Sequence, residues 1–215
     1  MIVADNALEC WKLSLDFVRN KGSDFIDQNN KQCRQSLNLV TVVKRPEINV
    51  TEPIELLNSF KTWKYPKLDE ISSVILSSKS SLDYSYSYGQ RIFNFDGINQ
   101  INDYVIPLLK DHPTSRRAVV SLWNPFVDAS LINKQVPGLI AIDFKIVNGS
   151  LCITGIIRSN DLLFGWPANV YQLFVLQDYV RKKLDLSFGD LSIVSISAHL
   201  FKDHFDVVDK ILEKK

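Results

Sequence analysis

The chain has 215 residues, with 25 basic and 24 acidic side chains, a formal net charge of +1 and 46% hydrophobic content. That length suits one domain with a sizeable core, and the balanced charge excludes a broad basic groove for nucleic acid, so any anion site must be local. The three cysteines, Cys10, Cys33 and Cys152, are odd in number and lack a C-x-x-C spacing, which fits reduced thiols and implies neither a disulfide framework nor a metal. The first residues, MIVADNALECWKLSLDFV, carry acidic side chains and no basic leader, and no window approaches ~18 uncharged apolar residues. The expectation is a cytoplasmic protein with no membrane and no nucleic-acid partner, in which the sequons at Asn49 and Asn148 go unused.

In chain order, Asp5 or Asn6 can cap a helix that carries Leu8, Trp11, Leu15 and Val18 on one face and ends at Gly22. The stretch SDFIDQNNKQCRQS reads as polar and irregular. Residues 37–43 alternate as a strand, closed by Lys44-Arg45-Pro46. Helices are expected over 54–63 and 68–77, and the Ser/Tyr-biased run 77–89 reads as a solvated loop. A helix follows over 97–111, a strand over 116–123, and a stop at Asn124-Pro125. LIAIDFKIV and SLCITGIIR flank Asn148-Gly149, a strong hairpin signal because both turn residues must adopt positive φ. Pro167 can open a long helix to Leu184, residues 192–201 read as a strand, and 202–212 as a terminal helix. The pattern predicts an α+β fold over 1–215: one domain with a mixed, largely antiparallel sheet and packed helices.

A two-residue turn at Asn148-Gly149 makes Val147 face Ser150 and Phe144 face Ile153. Carried to the open end, the same register sets Gly138 opposite Ser159 and Leu139 opposite Arg158. An arginine and a serine at one strand end, before a helix start, suit an oxyanion such as phosphate, or equally a surface ion pair and a cap.

The string RSNDLLFGWPANVYQL at 158–173 resembles the nucleotide-binding signature of the thymidylate synthase and pyrimidine nucleotide hydroxymethylase family, nearest its short archaeal-type members. Tyr88-Gly89-Gln90-Arg91, Arg116-Arg117 before a strand ending WNP, Val136-Pro137 and Ala198-His199 extend the likeness at fitting intervals, while residues 1–83 carry none of its motifs. The resemblance implies that Arg158 and Ser159 hold the 5′-phosphate of a pyrimidine nucleotide, dUMP or UMP. It also implies a homodimer in which Arg116 and Arg117 reach the neighbouring subunit's phosphate. Asn169 would read uracil, Asp161 would orient a folate-type or pterin one-carbon donor or an ordered water, and Gly165 would allow close ligand approach. His199 would lie near the sugar hydroxyl and Tyr88 would line the cavity.

The resemblance also marks departures. Gly138 stands where the family has the cysteine whose thiolate adds to C6 of the pyrimidine and makes C5 nucleophilic. Cys152 lies about 20 Å from Arg158 at strand rise, and Cys10 and Cys33 are expected in the core. Phe201 replaces a sugar-binding tyrosine, Glu70 and Asp83 are candidates for a proton-organising acid, and the chain closes on KILEKK without an apolar tail. Trp123 and Trp166 read as packing residues, His204 as solvated, and His112 carries no signal. Three functions remain open: C5 one-carbon transfer to a uridine nucleotide by another route, a silent nucleotide-binding homologue or partner subunit, or a synthase with an engineered substitution at residue 138.

Overall fold

A computed structural model describes residues 1–79, 87–132 and 135–214. A short strand β1 (Ile2–Ala4) leads into helix α1 (Ala7–Lys21). Asn6 is the cap: its side-chain oxygen accepts the Glu9 amide at 2.9 Å, and the Gly22 amide closes the far end on Val18 O. Cys10, Trp11, Leu15 and Val18 are buried, and Trp11 Nε1 donates to Leu162 O at 2.6 Å.

The stretch expected to be irregular is an antiparallel hairpin, β2 (Ser23–Ile26) with β3 (Gln32–Val43). Its polarity misleads because one face of these short strands stays wet. Asp27 Oδ1 organises the turn by accepting the Asn29 and Lys31 amides, and Arg34 pairs with Asp24 across the strands. The strand expected over 37–43 therefore begins at Gln32.

Helices α2 (Glu52–Ser59), α3 (Leu68–Leu76) and α4 (Tyr88–Phe93) follow. The first ends earlier than the expected residue 63, where Lys61 turns to φ 56°. The biased loop falls partly on 80–86, and with it the candidate Asp83, outside the described residues. The helix expected from residue 97 starts at Gln100, capped by Asn99, and its first turn is a π-helix (Gln100–Val105) before α5 (Ile106–Asp111), because Asp96 and Gly97 form a positive-φ turn. The strand expected over 116–123 shrinks to β4 (Val119–Ser121), and Asn124-Pro125 caps and opens the short α6 (Pro125–Asp128).

Strands β5 (Leu139–Val147) and β6 (Ser150–Asp161) form the expected hairpin, with Asn148 and Gly149 both at positive φ. The crossover helix α7 (Gly165–Leu184) leads to β7 (Ser187–Phe201), five residues longer at its start than expected. A 3-10 turn (Lys202–His204) and α8 (Phe205–Glu213) occupy the terminal helix region. Helix α7 starts at Gly165 and not Pro167, because the Asp161 carboxylate already holds the Leu163 and Phe164 amides ahead of it.

One sheet runs in the order β1-β3-β7-β6-β5-β4, with β2 on β3; β1/β3 and β6/β7 are parallel and the other pairs antiparallel. This is the mixed, largely antiparallel α+β sheet the sequence predicts. Helices α1 and α7 cover one face. Gly155 has no side chain because a Cβ would sit 2.7 Å from Leu173 Cδ1 of α7. On the opposite face Val40, Val194, Ile156 and Ala141 lie side by side across four strands and stay partly exposed.

The segment before Gly138 hangs on a buried ion pair. Arg91 pairs through both terminal nitrogens with Asp128, one contact at 2.8 Å, and also donates to Leu122 O at 2.5 Å. Burial works to raise the Asp128 pKa, but hydrogen bonds from Arg91 and the Asn124 amide, with the charges of Arg91 and Arg158, hold it below the ordinary range. Asp128→Ala would remove the buried carboxylate that balances the Arg91 charge, so a loss of about 3–5 kcal/mol is expected in urea unfolding. A loss under about 1 kcal/mol, as for an exposed pair, would show that the pair is not structurally important.

Candidate functional site

The parallel β6/β7 pair brings the signature residues together. Ser159 faces Ser197, Asn160 faces Ala198 and Asp161 faces His199. The β2–β3 hairpin closes the side: Phe25, Asp27 and Cys33 line a cavity of about 140 Å³ with Ser159, His199 and Phe201. His199 and Phe201 meet edge to face at 5.3 Å.

Gly138 enters from the open end of the β5–β6 hairpin, one position off the expected register. Leu139 pairs with Ile157 and Ala141 with Ile156, so a bulge at Ile140 slides Gly138 towards Arg158. Gly138 O accepts the Arg158 amide at 2.9 Å. A Cβ on Gly138 would meet Tyr88 Oη at 3.4 Å and Ser159 O at 3.7 Å, ordinary van der Waals contacts, so a Cβ fits there. Tyr88, at the first turn of α4, also accepts the Leu139 amide at 3.2 Å and so borders this position.

Arg158 donates from Nε to Pro137 O at 2.9 Å and from Nη2 to Val136 O at 3.2 Å, which fixes the guanidinium beside the segment leading to Gly138. Ser159 is exposed beside it. Arg116 and Arg117 lie elsewhere. Val119 pairs with Asp143, so these arginines stand near the far end of β5, roughly 20–25 Å of strand from Gly138. Both are exposed and have no ion pair with a described residue.

Asn169 on α7 comes back over the end of β6, where its Nδ2 donates to Asn160 Oδ1 at 3.1 Å. Asn160 in turn donates to Ser195 Oγ at 2.9 Å. Asn160 and Ser195 were not singled out by the sequence; they meet across 35 positions, and no local spacing signals such a contact. Gly165 opens onto the same place, where a Cβ would lie 3.5 Å from Asp161 Cβ and 3.8 Å from Asn169 Nδ2.

Asp161 is partly buried, and burial raises its carboxyl above the ordinary range, against the opposing pull of His199, the Leu163 and Phe164 amides, and His204. His204 departs from the solvated reading: its Nδ1 is buried with no hydrogen-bond partner among the described residues, and its ring meets Phe164 at 5.2 Å and Phe201 at 6.2 Å. Glu70 caps helix α3, its Oε2 accepting the Lys67 amide at 3.0 Å. Trp166 is fully buried and donates to Thr41 Oγ1, as a packing residue does.

Burial raises the pKa of all three thiols. Burial pushes Cys10 up to about 12 while its Sγ faces Val42 O. Cys33 is buried as expected, yet it borders the cavity; burial, then Asp27, Asp161 and Asp203, raise its thiol. Burial raises Cys152 as well. Among the described residues, no cluster of three or more His, Cys, Asp or Glu could hold a metal, and no helix is long and apolar enough to cross a membrane.

The thymidylate synthase family model matches residues 47–215. A protein of Methanococcoides burtonii named "Putative thymidylate synthase" is 32% identical over 214 residues, covering 99% of this chain and 94% of its own length. A protein of the same name from Methanosarcina mazei is 33% identical with the same coverage, and one from Methanocaldococcus jannaschii is 36% identical over 159 residues, 68% of this chain and 71% of its own. The chain belongs to the thymidylate synthase family. The likeness reaches well into the amino-terminal part, where no motif was legible.

The native Asp161 carboxyl binds its proton more tightly than an unfolded one, so the group destabilises the fold as pH rises above the ordinary carboxylate range. Asp161→Asn keeps an oxygen for the two amides. It is expected to melt a few degrees higher than the parent at neutral pH, with the difference closing towards about pH 4. A difference independent of pH would show that the carboxyl titrates normally.

Proposed function

We propose that this chain binds a uridine nucleotide, dUMP or UMP, at the joined ends of β5, β6 and β7, and holds it without a covalent bond from residue 138. Arg158 and Ser159 take the phosphate, Asn169 the uracil edge, and His199 the sugar side. The observation that carries the reading is the space at Gly138. Arg158, Ser159 and Tyr88 border a position where a Cβ fits, and no thiol of lowered pKa is described near it.

A homodimer completes the site on this reading. Arg116 and Arg117 stand too far along the sheet to serve their own chain's phosphate site, and their exposed guanidinium groups suit a neighbour's. The partly exposed row from Val40 to Ala141 offers an apolar sheet face for that pairing. A folate-type or pterin donor fits the remaining groups in part: Asp161 has one oxygen on the Leu163 and Phe164 amides and a second that can accept from a pterin edge, beside the opening at Gly165. Such a donor would supply the one-carbon unit. Without a nucleophile at residue 138 the chain binds and does not transfer, and a cytoplasmic location suits such a protein.

Calorimetry with dUMP, UMP and dCMP, paired with mass spectrometry for C5 products in the presence of a reduced-folate donor, tests this in the parent chain and in Gly138→Cys. Uridine nucleotides should bind the parent without product, and Gly138→Cys should gain a covalent adduct or turnover. Absence of any uridine-nucleotide binding would refute the site. Product from the parent that disappears in Cys33→Ala would refute the silent reading and assign the chemistry to the cavity thiol.

A further inference from the structure

We propose that Asn160 sets the base preference of the site by fixing which way round Asn169 presents its amide; this rests on the uridine-nucleotide reading above. Asn160 is 1% exposed and Ser195 fully buried. A buried amide end left unpaired loses its water without compensation, and both ends of Asn160 are held. Its Nδ2 goes to Ser195 Oγ at 2.9 Å, so Asn160 offers Asn169 only an acceptor, and Asn169 turns its amino end to that oxygen at 3.1 Å.

The second N–H of Asn169 and its Oδ1 then remain for a ligand. The space beside them is kept open by Gly165, where a Cβ would lie 3.6 Å from Asn160 Oδ1. An amide fixed this way presents a donor on the Asn160 side and an acceptor on the other. Uracil matches it, with O4 accepting and N3–H donating; cytosine carries the reverse pair, an amino donor and an N3 acceptor. To read cytosine, Asn169 must flip and set its oxygen against the Asn160 oxygen, with no proton between them. The alternative is for Asn160 and Ser195 to turn over together with it. Asn160 thus acts through Asn169 as a positioning residue and need not touch the base.

The test is calorimetric binding of dUMP and of dCMP to the full chain and to Asn160→Ala, Asn160→Asp and Ser195→Ala. The parent should favour dUMP by about ten-fold or more, within the range of a bidentate contact. In Asn160→Ala the preference should fall to within about three-fold with dUMP still bound, because Asn169 can then present either edge. Asn160→Asp keeps an acceptor towards Asn169 and should keep the preference. A purely structural role would weaken both ligands together and leave their ratio unchanged. If Asn160→Ala fails to fold, Ser195→Ala, which frees Asn160 to turn, should show the same collapse. A parent preference that survives in whichever of these two variants folds overturns this proposal alone, and absence of uridine-nucleotide binding to the parent overturns the nucleotide reading with it.

Discussion

The parallel contact between β6 and β7, with α7 as its crossover, is the constraint on which the rest of the site depends. A parallel pair cannot be closed by a tight turn, so the chain must leave β6, run back along the sheet and re-enter beside it. That return buries Trp166, Val170, Leu173, Leu176 and Val180 of α7 on the sheet, with Gly155 cleared for Leu173. It also leaves the carboxyl ends of both strands next to the start of α7. Asp161 meets His199, and Asn169 lies over Asn160, only because the crossover packs this closely. The burial that stabilises the fold and the placement of the polar groups are one arrangement.

The same sheet separates two sets of arginines. Arg158 is tied to the loop before Gly138, whereas Arg116 and Arg117 sit by the far end of β5. Strand length keeps them apart within one chain, and the proposed homodimer would bring such ends together across the open sheet face. The buried Arg91–Asp128 pair matters for a related reason: it anchors α6 to α4 and fixes where the chain starts towards Gly138.

Much of the carboxyl-terminal half was legible because its signals are local. Asn148-Gly149 dictates the hairpin and the 158–173 string carries the family likeness, just as Asn6 and Gly22 delimit α1 in the amino-terminal half. What escaped depends on contacts distant in sequence. The β2–β3 hairpin looks like a polar loop until its partner strand β7 is present. The bulge at Ile140, which moves Gly138 by one position, leaves no mark in an alternating pattern. Cys33 looked like a core residue and is one, but the hairpin also sets it on the cavity wall. Asn160 carries no signal of its own beside Ser159 and Asp161; its importance comes from Ser195, a residue of another strand.

Gly138 carries no reactive atom beside Arg158, Ser159 and Tyr88, and on the proposed reading a second chain completes the site. The most direct measurement is dUMP binding to a mixture of two defective chains, one carrying Arg158→Ala and the other Arg116→Ala with Arg117→Ala, after dissociation and reassociation. Each alone should bind poorly, and the mixture should regain parent-like affinity at a fraction of its sites, because a mixed pair places both defects in one site and leaves the other whole. A mixture that binds no better than its two components would contradict the shared site.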